Sequence, residues 1–234
     1  MNKLEKYHHI FFDLDHTLWD LEKNSLETLT ELFETHQLSR FGVTPFAEFV
    51  KIYSEINSRM WKYYLRGDIS RDTLRFGRFH KAFLEFGLDN VHLARSFGEA
   101  YSKNAPYKTH VHDGAHEVLS YLQKKYSLHI LTNGFEEIQH IKIKQSKLDP
   151  YFTHIVTSDK ANAKKPSREI FDYILALSGA TKDNSIMVGD NYEADIIGAR
   201  NAGIDQVYFN AHGDKPGKAC TKEIFSLKEL VGFL

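Results

Sequence analysis

Five short apolar runs, rich in β-branched and aromatic residues, constrain this chain most: residues 8–14, 128–132, 153–158, 185–189 and 206–209. Each is too short for a buried helix and is bounded by polar residues or glycine. Strands buried on both faces of a parallel sheet read this way. Helical patterns separate the last four. Residues 134–146 carry Phe135, Ile138 and Ile141 as an apolar stripe. Residues 167–178 carry Ile170, Phe171, Ile174 and Leu175, with Ser167 as the expected N-cap. Residues 191–202 carry Ala194, Ile197 and the small Gly198 and Ala199, suited to close packing on a sheet. Residues 114–125, with Val118, Leu119 and Leu122, precede the second strand, and Ser226-Leu227-Lys228-Glu229 has the capping-box pattern. This alternation predicts an α/β fold built on a doubly wound parallel sheet.

Residues 19–105 interrupt the alternation and read as four helices with no strand. Their apolar stripes are Leu26, Leu29 and Phe33; Phe46, Phe49, Val50, Tyr53, Ile56, Met60 and Tyr64; Phe79, Phe83 and Phe86; and Leu93, Phe97 and Tyr101. The expected organisation is a core of 1–18 and 106–234, with an α-helical cap domain of 19–105 inserted after the first strand.

Composition narrows the function classes. Thirty Lys and Arg against 31 Asp and Glu leave a formal charge of −1. That gives no global attraction to a nucleic-acid polymer or an anionic membrane. No stretch approaches the roughly 18–20 apolar residues of a membrane helix, and no secretory leader is read at the N-terminus, so the expected location is cytoplasmic. The single Cys220 excludes an intramolecular disulfide and a multi-cysteine zinc site. Thirteen histidines raise a metal question, centred on His110, His112 and His116.

Ligands of open α/β sheets bind outside the carboxyl ends of the strands. Four of the five predicted strands end in chemically competent residues. The first runs into Asp13-Leu14-Asp15-His16-Thr17, a carboxylate pair that is costly to bury unpaired and that suits an oxygen-binding cation such as Mg²⁺. The second ends Thr132-Asn133-Gly134, a hydroxyl and backbone N–H groups at a helix start, as an anion site requires. The third is followed by Lys165-Pro166, a candidate counter-charge for phosphate. The fourth ends Gly189-Asp190, with Asp195 five residues beyond Asp190.

In this order the four motifs resemble the haloacid dehalogenase-like hydrolase superfamily, over nearly the whole chain, with its Rossmann-like core and helical cap. Arg66-Gly67-Asp68-Ile69, Gly77-Arg78-Phe79, Ile130–Phe135, Lys165–Tyr173 and Phe209-Asn210-Ala211-His212 are most similar to its bacterial pyrimidine 5′-nucleotidase branch. The resemblance implies a phosphatase acting on a small-molecule phosphate monoester, a nucleoside monophosphate first. Asp13 is then the nucleophile and Asp15 the acid and base. Thr132, Asn133, Gly134 and Lys165 hold the phosphoryl group. Asp13, Asp15 (through its backbone carbonyl) and Asp190 hold Mg²⁺. Asp195 and Thr17 support them. Arg78, Arg75 and Trp61 are candidates for nucleotide contacts, since guanidinium and indole groups stack on bases.

Three alternatives have discriminators. Phosphoglycolate or sugar phosphates are the other substrate classes. A dehalogenase needs no protonated leaving group and lacks an aspartate at the second position, so Asp15 speaks against it. A receiver domain accepts phosphate without turnover, but it carries its acidic pair elsewhere and is about half as long.

Overall fold

The computed structural model describes residues 6–213 and 219–234; residues 1–5 and 214–218 of the expected core lie outside them. Six strands form one parallel sheet: β1 (His9–Phe12), β2 (Ser127–Thr132), β3 (Phe152–Thr157), β4 (Ser185–Gly189), β5 (Asp205–Phe209) and β6 (Lys222–Ile224). The order is β3-β2-β1-β4-β5-β6. β1 is central: Ile10 lies opposite Leu128 on one side and Ile186 on the other. The chain steps from β1 through β2 to β3, then returns to the opposite flank of β1 as β4. That reversal makes a topological switch point between β1 and β4, where the loops leaving the two strands diverge and open a crevice.

The chain divides into two compact units, Met1–Leu21 with Thr109–Leu234, and Glu22–Lys108. The second is helical, with α1 (Leu21–Thr35), α2 (Phe46–Arg66), α3 (Arg71–Leu84) and α4 (Val91–Asn104). Phe49, Tyr53, Ile56 and Met60 of α2 are buried, as are Phe79 and Phe83 of α3 and Phe97 of α4. Phe49 and Phe79 each lie within about 6 Å of the Phe97 ring. One expected position is corrected: Leu26 is 47% exposed, whereas Leu29 is buried as expected, together with Asn24, Thr28 and Leu32 of α1. No helix of the described residues is long and apolar enough to cross a membrane.

In the α/β unit, alternating strand residues feed two apolar layers. Ile10, Phe12 and Leu14 pack with Val118, Leu119 and Leu122 of α5 (Ala115–Leu122). Phe11, Leu131, Val156 and Met187 pack on the other face with Ile170, Phe171 and Ile174. The remaining elements are α6 (Glu136–Gln145), α7 (Ser158–Ala161), α8 (Arg168–Ser178), α9 (Gly198–Asn201) and α10 (Leu230–Phe233). Three details differ from expectation. β6 is a strand of only three residues with a Lys-Glu sequence, too short and polar to register as an apolar run. Residues 191–202 open as a wide π-helical turn, Tyr192–Ile197, before α9. Ser167 sits at the N-cap position of α8 but does not cap it with its side chain; its hydroxyl bonds to Glu169.

Candidate active site

The site grows out of the loops after β1, β2 and β4. The predicted first strand shortens, and Asp13 lies just past it; its N–H still donates to Val188 O at 2.9 Å, which holds the residue against β4. The chain then turns tightly. The N–H groups of Leu18 and Trp19 both donate to Leu14 O, and His16 adopts φ +64°, a left-handed conformation uncommon outside glycine. The Thr17 hydroxyl donates to Asp190 Oδ1 at 2.9 Å and accepts from Asp190 N at 3.1 Å. One side chain thus ties the β1 loop to the β4 loop across the switch point.

Lys165 enters from the segment before α8 and is 2% exposed. Its ammonium donates to Asp13 Oδ1 and Asp195 Oδ1, each at 2.6 Å, and to Leu131 O at 2.7 Å. An ammonium has three protons, so all are engaged. The expected direct hold on a phosphoryl group therefore becomes first a hold on Asp13. Asp195, fully buried, also accepts from Asn191 N at 3.0 Å. Its carboxylate fits there because residue 189 is glycine: a Cβ on Gly189 would fall 2.3 Å from Asp195 Oδ2.

Carboxylate oxygens of Asp13, Asp190 and Asp195 all lie within 4.8 Å of one another. Asp13 is pushed up to about 7, by burial first and then by the Asp195 and Asp15 charges, against the pull of Lys165. Burial and then the Asp13 charge push Asp190 up to about 7, against the hydrogen bond from Thr17. Asp195 is raised as well, by burial first. For Lys165, burial opposes the charged form, but Asp13 and Asp195 outweigh it and hold the ammonium protonated. Three carboxylates around one ammonium, with oxygen-only donors, are the chemistry that fits a hard divalent cation such as Mg²⁺.

At the end of β2, Thr132 Oγ1 accepts from Gly134 N at 3.1 Å and from Gln139 Nε2 at 2.8 Å. The side chain of Asn133 pairs with the Lys165 backbone, accepting from its N–H at 2.8 Å and donating to its carbonyl at 2.9 Å. Asn133 therefore aligns the Lys165 segment. Asp15 is held by Lys142 Nζ at 2.6 Å on Oδ1 and by Gln139 Nε2 at 2.8 Å on Oδ2. Burial alone would raise Asp15, but Lys142 and Gln139 outweigh it and keep the carboxyl below the usual range.

Sequence reasoning missed Gln139 and Lys142. Of the expected stripe Phe135, Ile138 and Ile141, Phe135 is buried, yet Ile138 and Ile141 are only half-buried, and the buried face of α6 is Gln139, Lys142 and Ile143. The available signal was two polar residues three apart on a helix that follows a strand-end motif.

The three candidates for nucleotide contacts belong to the helical unit. Arg78 of α3 is 8% exposed, donates to Asn57 Oδ1 at 2.7 Å and sits 5.1 Å from the ring centroids of Phe79 and Tyr101. Among the described residues it has no carboxylate partner. Arg75 and Trp61 are half-buried, and the Trp61 ring meets Tyr64 edge-on at 5.7 Å. The histidine alternative does not assemble. α5 begins at Ala115, so His112 precedes it; His112 lies edge-on to Phe209, and His116 Nδ1 pairs with Tyr151 at 3.2 Å. Among the described residues, the one cluster of three potential metal ligands is the aspartate group.

A parallel sheet with a buried aspartate at its switch point, a second aspartate two residues on, and a buried lysine between carboxylates defines a class of hydrolase. The chain belongs to the haloacid dehalogenase-like hydrolase family, whose model matches residues 10–209. It is an enzyme, a phosphoric monoester hydrolase of that family. It is 32% identical to pyrimidine 5′-nucleotidase PynA of Streptococcus pneumoniae, over 97% of this chain and 95% of that one. Pyrimidine 5′-nucleotidase YjjG of Escherichia coli is also 32% identical, over 96% of each. Among solved structures, the HAD-hydrolase YfnB of Bacillus subtilis, bound to magnesium, superposes with a TM-score of 0.88 at 27% identity, covering 98% of this chain and 99% of that one.

Proposed function

We propose that this chain is a Mg²⁺-dependent 5′-nucleotidase of the cytoplasm that hydrolyses pyrimidine nucleoside monophosphates through an aspartyl-phosphate on Asp13. The observation that carries the reaction is the convergence of Asp13, Asp15, Thr132, Lys165 and Asp190 at one switch point. The likeness to two pyrimidine 5′-nucleotidases along almost their whole length supports the substrate class.

In the first half-reaction an Asp13 carboxylate oxygen attacks phosphorus, a P–O bond forms, and the ester P–O bond breaks. Lys165 occupies Oδ1 and so orients the carboxylate toward attack through Oδ2. Asp15, ionised in the free site by Lys142 and Gln139, takes up a proton from solvent and passes it to the departing ribose oxygen. In the second, Asp15 takes a proton from water as that water attacks the phosphoenzyme, which releases phosphate and restores the Asp13 carboxylate. The Thr132 hydroxyl and the backbone N–H of Asn133 steady the phosphoryl oxygens throughout. Asp13, Asp190 and the Asp15 carbonyl would hold Mg²⁺, with Asp195 and Thr17 fixing the carboxylates around it. When bound, the ion offsets repulsion between an anionic nucleophile and an anionic phosphate.

Arg78 supports the helical unit as carrier of leaving-group specificity. A buried guanidinium with a neutral hydrogen-bond partner and aromatic neighbours retains donor capacity for an acceptor oxygen. Arg75 of α3 and Trp61 of α2 are weaker candidates.

A panel of phosphate monoesters with Mg²⁺ tests the reading. The expected preference is pyrimidine nucleoside monophosphates over purine nucleotides, phosphoglycolate and sugar phosphates, with activity abolished in Asp13→Asn. Arg78→Met should lower kcat/KM on uridine 5′-monophosphate roughly tenfold or more, the scale of a lost charge-assisted hydrogen bond. Preference for phosphoglycolate or a sugar phosphate would replace the nucleotidase assignment. Near wild-type turnover in Asp13→Asn would overturn the mechanism.

A further inference from the structure

Gln139 is fully buried, and its one amide nitrogen reaches two members of the active site, Thr132 Oγ1 and Asp15 Oδ2, each at 2.8 Å. The orientation of the amide follows from the network: the flipped group would set its oxygen against a carboxylate. Among the described residues, its own Oε1 is buried without a hydrogen-bond partner. A buried acceptor left unsatisfied is costly, and such costs persist where another demand fixes the side chain. Lys142, three residues on along α6, is 6% exposed. Its ammonium takes the other Asp15 oxygen at 2.6 Å and lies 4.3 Å from the centroid of the buried Trp19 ring. The backbone leaves room for this arrangement at Gly134, where a Cβ would fall 2.2 Å from Gln139 Nε2 and 2.3 Å from its Cδ.

We infer that Gln139 and Lys142 are positioning residues that clamp the two oxygens of Asp15 and so aim its carboxyl group at the leaving-group oxygen. The inference deepens the phosphatase reading and rests on it. Gln139 has a second effect. With Gly134 N–H and Gln139 Nε2 on its two lone pairs, the Thr132 hydroxyl has its own proton left to give to a phosphoryl oxygen. Gly134 then serves the site by making space for Gln139, in addition to any contact of its own with phosphate.

The test separates aim from folding by comparing leaving groups. Departing p-nitrophenolate needs no proton, whereas the alkoxide of a nucleotide does. With the full-length Mg²⁺-loaded enzyme, Lys142→Met should lower kcat on uridine 5′-monophosphate at least tenfold with KM within threefold. The pre-steady-state burst of p-nitrophenolate from p-nitrophenyl phosphate should stay within threefold of wild type. Lys142→Arg should recover part of the nucleotide rate. Gln139→Ala should slow both substrates, the nucleotide more, because Thr132 is affected too. Gly134→Ala should cost much in the wild type and little further in Gln139→Ala. Equal losses on both substrates in Lys142→Met, no loss on either, or additive Gly134 and Gln139 effects would overturn the clamp while leaving the phosphatase reading intact. A wild type that turns over p-nitrophenyl phosphate but no alkyl phosphate monoester, nucleotide or sugar phosphate, would overturn the proposed aim of Asp15; one that turns over a sugar phosphate but not uridine 5′-monophosphate would overturn the nucleotidase reading alone.

Discussion

Lys165 engages three acceptors within 2.7 Å, and none of them is solvent-facing in character: two carboxylates and a strand carbonyl. Such a residue is costly to bury and costlier to strip of partners, on the order of 3–5 kcal/mol when one member of a buried pair is removed. Its place is legible in the sequence only through its neighbours, because a lysine before a proline is ordinarily a surface charge. Asp13 and Asp15 are more legible, since a carboxylate pair at the end of an apolar run has few bland explanations. At the other end of the strands the sequence hid a different feature. His9, His129 and His154 stack across β1, β2 and β3, with centroid separations of 5.4 and 5.3 Å, and His129 is 1% exposed. Burial, then His9 and His154, pull His129 down to about 3. An unfolded histidine titrates near 6.5, so between these values the unfolded state binds a proton that the folded state does not. Stability should therefore rise with pH from about 3 to about 6.5 and fall as the solution is acidified. His129→Phe should flatten the change in urea-unfolding free energy between pH 7 and 5 by about 2 kcal/mol. An unaltered slope would contradict the assignment.

At the scale of elements, the fold is read from strands that are buried on both faces, and the exceptions have physical causes. β6 adds three residues to the sheet edge with one buried side chain, Ile224, too little for a hydrophobic pattern. The apolar period of α6 points to Ile138 and Ile141, while the structure buries Gln139 and Lys142 because their partners, Thr132 and Asp15, lie on other elements. Hydrophobicity cannot report a face that is buried for its hydrogen bonds. The turn after β4 shows the same dependence. Gly189 reads as a tight turn, but the demand on it comes from the Asp195 carboxylate, which occupies the space of a Cβ. Gly189→Ala should displace Asp195 from Lys165, lower stability by roughly 1–3 kcal/mol and reduce turnover strongly. Chemical denaturation and steady-state rates check this together. Wild-type values for both would mean that Asp195 can shift without consequence.

For the whole molecule, the near-neutral charge conceals a strong local asymmetry, with Asp13, Asp190 and Asp195 crowded around one lysine. All of these residues belong to the α/β unit of Met1–Leu21 and Thr109–Leu234. The helical unit, Glu22–Lys108, carries instead the buried Arg78 and an aromatic core. Reaction chemistry and the proposed leaving-group preference are thus assigned to different stretches of chain, which is why the strand-end motifs announce the reaction and leave the substrate open. The 13 histidines, the obvious metal candidates by count, do not contribute to the one three-ligand cluster of the described residues. The central claim is a covalent phosphoenzyme on Asp13. Borohydride reduction during turnover of uridine 5′-monophosphate with Mg²⁺, followed by peptide mass analysis, tests it most directly. Conversion of Asp13 to homoserine is the expected result. Reduction at another aspartate, or none while phosphate is being released, would contradict the account.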